Sequence, residues 1–337
     1  MMGGNIPRRV LPTMPSTIPL YPLRFRPILR RYLWGGRRLA ELGKSLGEGD
    51  DYAESWELCD RGADQSVIAA GPLAGTPLGA LVRDRGEELL GRHHPQPRFP
   101  LLFKFLDARR TLSVQVHPND AQAARLDPPD LGKTEAWVVL AADPGSFLYC
   151  GLKRGFDRPA LERELARGTV ELCLHRLEPK PGDCIFLPAG TPHAIGGGLL
   201  IAEIQQSSDV TYRLYDFGRV GSDGQSRPLH LAQALECIDY ACGPAEPQMG
   251  NDAGSGVERL VECPQFVLDR RTLIAPAELG GGDRCRFLAV IAGSLSIEGD
   301  PCGIPLRTGD TVLLPAACGS VRVMPRESAV LLDCYLP

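Results

Sequence analysis

Residues 180–193 read KPGDCIFLPAGTPH, and residues 307–320 repeat the pattern as RTGDTVLLPAACGS. In both copies a Gly-Asp pair precedes a short apolar run that a proline ends, and Gly182 and Pro188 are spaced like Gly309 and Pro315. A turn, a buried strand and a terminating proline are typical of a β-unit. Two copies of one unit predict a mainly β chain with two small barrels.

The remaining apolar segments agree with this prediction. Most are short, rich in Val, Ile and Leu, and bounded by Gly, Pro or Asp, as strands usually are. We predict strands at 101–106, 113–116, 136–140, 184–187, 199–204, 287–291 and 311–314. Helical spacing of apolar residues is sparse, and predicts short helices at 76–90, 158–167 and 230–240. The 38 glycines and 30 prolines favour many turns.

A stretch rich in Gly, Pro and polar residues at 243–256 reads as a linker. It predicts a larger unit at 21–245 and a C-terminal β domain at 246–337. Residues 1–20 contain arginines and prolines but lack the apolar core of a secretory signal. We expect a disordered or loosely held leader there.

The composition excludes several classes of protein. The net charge of −4 over 337 residues provides no basic field for a nucleic acid, although a local cluster could hold one small anion. There is no run of about 18 apolar residues, so no membrane span is expected. The eleven cysteines are an odd number without a CxxC pair, which indicates reduced thiols in a cytoplasmic protein.

Two histidines stand in patterns that suit a metal. In SVQVHPND, Gln115 and His117 are two residues apart, so on a strand both point to one face. A hydrogen-bonded core histidine is the alternative for this segment. His193 is the last residue of the first repeat. It follows a turn, at a position where a barrel would open. In GKTEAW, Lys133 and Glu135 would share a strand face, and a buried carboxylate there needs a metal or the lysine as its partner.

A third candidate cluster follows in SSDVTYRLYD. Asp209, Thr211 and Arg213 alternate onto one face of an expected strand, and the opposite charges of Asp209 and Arg213 would support each other. The pair is either a surface ion pair, worth about 0–1 kcal/mol, or an arginine held at the rim of a site.

Taken together, these segments resemble the type I mannose-6-phosphate isomerase family in its short bacterial form, within the cupin superfamily. The motifs are FPLLFKFLDARRTLSVQVHPND (99–120), GKTEAW (132–137), PAGTPHAI (188–195) and QQSSDVTYRLYDFGR (205–219). The resemblance implies two cupin-type jelly-roll barrels. It also implies one zinc ion per chain, bound by Gln115, His117, Glu135 and His193. Its catalytic residues fall on Lys133, Arg213 and Asp209, and its phosphate-recognition positions on Ser113 and Lys104.

The resemblance implies an aldose–ketose isomerase that interconverts mannose 6-phosphate and fructose 6-phosphate through an enediol. Arg213 would stabilise the charge that develops on the enediol oxygens. The base stays open between Lys133, a zinc-bound hydroxide, Asp209 and Glu203. The alternatives are a non-catalytic sugar-phosphate-binding cupin and a metal cupin acting on another sugar. We expect a phosphorylated hexose as the partner, and a monomer or weak dimer. Ser320 replaces His193 in the second repeat, which predicts a metal-free second unit.

Overall fold

A computed structural model describes residues 18–220 and 224–337, and the chain there is mainly β. The strands of the first part are β1 Phe25–Arg26, β2 Ile28–Gly36, β3 Tyr52–Leu58, β4 Asp60–Arg61, β5 Asp64–Gln65, β6 Val67–Ile68, β7 Leu101–Ala108, β8 Val114–Val116, β9 Glu135–Ala142, β10 Leu148–Leu152, β11 Leu174–Leu177, β12 Cys184–Leu187, β13 His193–Ile195, β14 Leu199–Gln206 and β15 Tyr212–Tyr215. The remaining strands are β16 Asn251–Asp252, β17 Val257–Glu262, β18 Val267–Leu273, β19 Ala277–Gly280, β20 Arg286–Ile297, β21 Leu306–Arg307, β22 Thr311–Leu314 and β23 Ser320–Tyr335.

Within the described part of the chain, four α-helices and three 3₁₀ turns connect these strands. They are α1 Leu78–Leu90, α2 Asp120–Ala123, α3 Arg158–Arg167 and α4 Leu231–Cys237, with 3₁₀ turns at Arg38–Leu42, Val170–Leu172 and Ala316–Cys318. The three predicted helices are confirmed as α1, α3 and α4. Asp157 caps α3 by accepting a hydrogen bond from the amide of Ala160, and Pro159 occupies its first turn. None of the described helices is long and apolar enough to cross a membrane.

The strands form three main antiparallel sheets. The first has the order β12-β9-β14-β7-β3-β2, and the second β11-β10-β13-β8-β15. The C-terminal strands form a third sheet, β16-β17-β18-β23-β20-β21, to which β19 and β22 also pair. The predicted strands and the mainly β class are thus confirmed. The two separate barrels are not, because the described strands form open sheets.

Apolar side chains fill the space on both faces of the first sheet. One face packs against the second sheet, where Trp137 and Ile201 belong to the same cluster as Ile195. The opposite face packs against the third sheet through Phe103 and Phe287, whose ring centroids are 4.9 Å apart. The two halves of the chain therefore share a hydrophobic core, and the division at residues 245 and 246 stays a prediction.

Both copies of the sequence repeat form the same turn and strand. Gly182 and Gly309 have φ of 95° and 91°, the left-handed region that favours glycine. Each next aspartate accepts a 2.8 Å hydrogen bond from a backbone amide three residues back. The register also repeats: Leu187 lies opposite Glu135 on β9, and Leu314 lies opposite Arg286 on β20.

The N-terminal segment begins to pack at its first described residues. The carbonyl of Ile18 accepts a 2.7 Å hydrogen bond from Arg85, and Leu20 is buried. Leu23 and Leu313 then exchange two backbone hydrogen bonds of 2.8 Å, which tie this segment to the third sheet. Residues 1–17 of the predicted leader lie outside the described residues.

Candidate active site

The two sheets of the first part meet at the predicted metal ligands. On the second sheet, Gln115 of β8 lies opposite His193 of β13 on one side and opposite Arg213 of β15 on the other. His117 directly follows β8. Glu135 opens β9 of the first sheet, so its carboxylate reaches the histidines across the gap between the sheets. Residues 78 positions apart in sequence thus form one site.

Three of the four predicted ligands form a compact buried group. His193 Nε2 lies 3.2 Å from Oε1 of Glu135, and His117 Nε2 lies 3.7 Å from Oε2. One candidate ligand atom from each residue lies within 4.8 Å of the others. Within residues 18–220 and 224–337, this is the only such group of three metal-ligating side chains found.

Backbone carbonyls orient both imidazoles toward the carboxylate. His117 Nδ1 lies 2.9 Å from the carbonyl of Val210, and His193 Nδ1 lies 2.8 Å from that of Thr191. Because a carbonyl only accepts, both Nδ1 atoms carry the proton and both Nε2 atoms present lone pairs. His193 Nε2 and Glu135 Oε1 consequently face each other as buried acceptors without a hydrogen-bond partner. A divalent cation between them fits this donor set.

Burial also keeps the imidazoles neutral. Burial, with Lys133 nearby, lowers the pKa of His193 to about 4, and the same causes hold the pKa of His117 well below its usual value. Burial raises the pKa of Glu135 to about 7, although Lys133 opposes that shift. Neutral imidazoles are the form that binds metals.

Lys133 points into the site, as the strand alternation with Glu135 predicts. Its Nζ lies 2.7 Å from Oε2 of Glu135 and 2.9 Å from Nε2 of His117. The side chain is buried. The lysine therefore contacts the same two side chains that a metal would use.

A cavity of about 230 Å³ opens above this group. Six of the predicted site residues line it: Lys104, Ser113, Gln115, Lys133, Asp209 and Arg213. Glu54 and Arg227 also line it, and the sequence reasoning assigned neither of them a role. The sequence could have indicated Glu54 as a site residue. In YAESWEL it lies two residues from Trp56 and so shares a strand face with it, as Lys104 shares a face of β7 with every second residue. Arg227 lies in a loop with no periodic pattern.

Lys104 lies at the acidic end of this cavity. Its Nζ is 3.4 Å from Oε1 of Glu203 and 3.8 Å from Oε2 of Glu54. Trp137 and Trp56 donate indole hydrogen bonds of 2.9 and 2.5 Å to the same two carboxylates. Burial lowers the pKa of Lys104, but the two carboxylates outweigh it and raise the pKa above the usual value. Lys104 thus stays charged.

The expected ion pair between Asp209 and Arg213 is wrong. Among the described residues no such pair within 4.0 Å is found, because Asp209 lies in an exposed irregular segment and the strand begins only at Tyr212. Arg213 instead donates a 2.8 Å hydrogen bond to the carbonyl of Pro228. Asp216 takes the ion pairs, with Arg219 and with Arg227.

The second copy of the β-unit has different residues at the corresponding positions. By register, Gly280 lies opposite Ser320 as Gln115 lies opposite His193, and Arg286 takes the place of Glu135. None of these three offers the ligand atom of its counterpart. That the second unit binds no metal stays a prediction, and the three replaced residues are its physical basis.

Fold and site define a class of mainly β protein in which an imidazole and carboxylate cluster lies between two sheets, below a charged cavity. Residues 23–136 match the family model for the type I phosphomannose isomerase catalytic domain. The chain is 34% identical over 307 residues to the mannose-6-phosphate isomerase ManA of Bacillus subtilis, covering 90% of this chain and 95% of the relative. It is also 34% identical to the mannose-6-phosphate isomerase of Streptococcus mutans, covering 87% of this chain and 92% of that relative.

A crystal structure of the mannose 6-phosphate isomerase from Bacillus subtilis superposes with a TM-score of 0.86 at 28% identity, covering 94% of this chain and all of that one. The chain belongs to the type I mannose-6-phosphate isomerase family.

Proposed function

We propose that this protein interconverts mannose 6-phosphate and fructose 6-phosphate, and that it does so with one bound zinc ion. The observation that carries the proposal is the His117, Glu135 and His193 group, which Lys133 connects to a cavity lined by further cationic side chains. The relatives named as mannose-6-phosphate isomerases support the substrate. Gln115 is proposed as the fourth ligand, because it lies beside His193 and lines the same cavity.

The reaction moves a proton between C1 and C2 of an open-chain sugar, and negative charge develops on the enediol oxygens. Arg213 is the proposed stabiliser of that charge, since its guanidinium stays protonated and lines the cavity. A bound zinc ion would supply Lewis acidity toward the substrate oxygens. Lys133 is the proposed proton carrier, because its amine lies at the junction between the histidine–carboxylate group and the cavity.

The other predicted residues have supporting roles in the proposal. Ser113 and Lys104 would hold the substrate, since both line the cavity and both are buried. Asp209, also on the cavity wall, is a second candidate for the base. Its exposure and its lack of an ion pair with Arg213 leave it free to approach the substrate rather than to orient the arginine.

Where the protein acts is also proposed. All eleven cysteines are unpaired, seven of them buried, as expected of a protein kept in a reducing compartment. We therefore propose a cytoplasmic enzyme that works as a monomer or weak dimer on a phosphorylated hexose. Size-exclusion chromatography with light scattering tests the oligomeric state.

The decisive experiment is turnover of mannose 6-phosphate, coupled to detection of fructose 6-phosphate, before and after chelation. We expect activity in the purified protein, loss with the chelator, and recovery on adding zinc. Absence of turnover with full metal content would leave a sugar-phosphate-binding protein. Turnover that survives metal removal would contradict the metal-dependent mechanism. Tests on other aldose phosphates would show whether another sugar is preferred.

A further inference from the structure

The outer end of the cavity carries an excess of positive charge. Asp216 accepts hydrogen bonds from Arg227, at 2.8 Å from Nε and 2.6 Å from Nη2, and also from Arg219. The nearby Arg213 donates to the carbonyl of Pro228, and its Nε is buried without a hydrogen-bond partner. Two guanidiniums thus share a single carboxylate, the third is nearby, and Arg213 and Arg227 both line the cavity.

The pKa of Arg213 agrees with this excess of positive charge. The pKa of Arg213 is lowered by burial and then by the neighbouring Arg227, which Asp216 only partly offsets. An anion placed between Arg213 and Arg227 would relieve this repulsion. Planar guanidiniums are also well suited to two-point hydrogen bonding with phosphate oxygens.

At the opposite end of the cavity, carboxylates outnumber the cationic side chains. Lys104 lies between the carboxylates of Glu54 and Glu203, and Lys133 contacts the carboxylate of Glu135. Both cations there already have anionic partners. A phosphate dianion would meet carboxylates at this end and, at the other, two arginines that share one carboxylate.

Distances along β8 fit a substrate that spans the two ends. Gln115 of β8 lies beside the metal-ligating group and opposite Arg213, and Ser113, which directly precedes β8, lies two residues before Gln115 and lines the same cavity. At the rise of a β-strand, this separation is about 7 Å. That is close to the length of an open-chain hexose, so its carbonyl end and its phosphate would reach different ends of the cavity.

We infer that Arg227, together with Ser113, binds the phosphate group of the substrate, and that Asp216 positions Arg227 for this contact, while Arg213, opposite Gln115, stays with the reacting carbons. The inference rests on the proposed function for the identity of the phosphorylated ligand. It moves phosphate recognition away from Lys104, whose proposed contact becomes a sugar hydroxyl.

Calorimetric titration of the zinc-loaded protein with inorganic phosphate and with mannose 6-phosphate tests the inference. Arg227→Gln should weaken both affinities by about 10- to 100-fold, the loss expected for charge-assisted hydrogen bonds. The KM for mannose 6-phosphate should rise in parallel, with a much smaller effect on kcat. Arg219→Gln is the matched control, because Arg219 shares Asp216 but does not line the cavity.

The inference is overturned by unchanged phosphate affinity in Arg227→Gln, or by equal losses in the Arg219→Gln control. If Arg227→Gln does not fold, a chemical-modification experiment on the wild-type protein tests the inference instead. Inorganic phosphate should slow phenylglyoxal modification of Arg227, read by peptide mass spectrometry, and an unchanged rate overturns the inference. Phosphate binding through Arg227 without isomerase turnover would overturn the proposed function alone.

Discussion

Lys133 Nζ lies 2.7 Å from Oε2 of Glu135, so a buried ammonium contacts the carboxylate that joins both histidines. A metal at this position would share Glu135 and His117 with the lysine. The amine and such a metal would compete for the same carboxylate, so each would limit how strongly the other holds Glu135.

The first prediction concerns the metal ligands. His193→Ala should remove most of the zinc, about one ion per chain in the wild type, and activity with it, because it deletes a buried ligand. Plasma emission spectrometry measures the metal. His175→Ala is the control. The His175 ring pairs with Glu246 near the surface, so this variant protein should keep its zinc. Full occupancy in His193→Ala would refute the ligand assignment.

The second prediction separates chemistry from metal binding. Lys133→Ala and Arg213→Ala should retain zinc and lose about 10²–10³ in kcat, equivalent to roughly 2.7–4 kcal/mol, because each removes a charged group at the reacting carbons. Steady-state kinetics on zinc-quantified samples measures this loss. Near-normal kcat in both would place the chemistry elsewhere, and an effect on KM alone would make them binding residues.

The third prediction concerns pH and Asp216. Burial raises its pKa, but hydrogen bonds from Arg227 and Arg219 outweigh that and hold it below the usual value. A lowered folded pKa stabilises the fold above the unfolded pKa, and this contribution disappears as the pH falls through the folded pKa. Asp216→Asn should lower the unfolding free energy at pH 7 by about 1–2 kcal/mol.

Urea unfolding at pH 7 and near pH 3 measures the change, and the gap between variant and wild type should narrow at the lower pH. A gap that widens in acid would show that Asp216 is not ionised in the folded protein.

The fourth prediction concerns the thiols. Burial raises the pKa of Cys59, Cys184 and Cys285 to about 12, and only thiolates react readily with iodoacetamide. Exposed Cys242 should therefore be alkylated first in native protein near neutral pH. Peptide mass spectrometry gives the order of labelling, and urea-denatured protein, in which all eleven should react, is the control. Early labelling of Cys285 would indicate local opening of the third sheet.

Much of this structure could be predicted from local pattern. The repeated Gly-Asp turn, the strands around it and three helices follow from residues adjacent in sequence. The inward direction of Lys133 follows from its alternation with Glu135. Open sheets instead of barrels could not be predicted, because closure depends on which distant strands pair. Short α2 was also missed, since its evidence is one capping box between Asn119 and Gln122.

Arg227 shows a second limit of sequence reasoning. Its partner, Asp216, is eleven residues away in sequence, and neither residue lies in a strand or helix, so no spacing rule connects the two. The alternation of Asp209, Thr211 and Arg213 brings all three to the cavity wall, as predicted, but Asp209 precedes the strand and forms no ion pair with Arg213 within 4.0 Å.

The shared register of the two β-units has a consequence for how each half is held together. Where the first copy has Glu135, the second has Arg286, which donates a 2.6 Å hydrogen bond to the buried carboxylate of Asp333, as does Arg271. A metal at Glu135 would be an exchangeable counter-ion, lost to any stronger chelator. Arg286 is a counter-ion built into the chain. If a metal binds at Glu135 as proposed, scarcity of that ion would leave the buried carboxylate of the first half without its counter-ion, whereas Asp333 in the C-terminal half would keep both of its arginine partners.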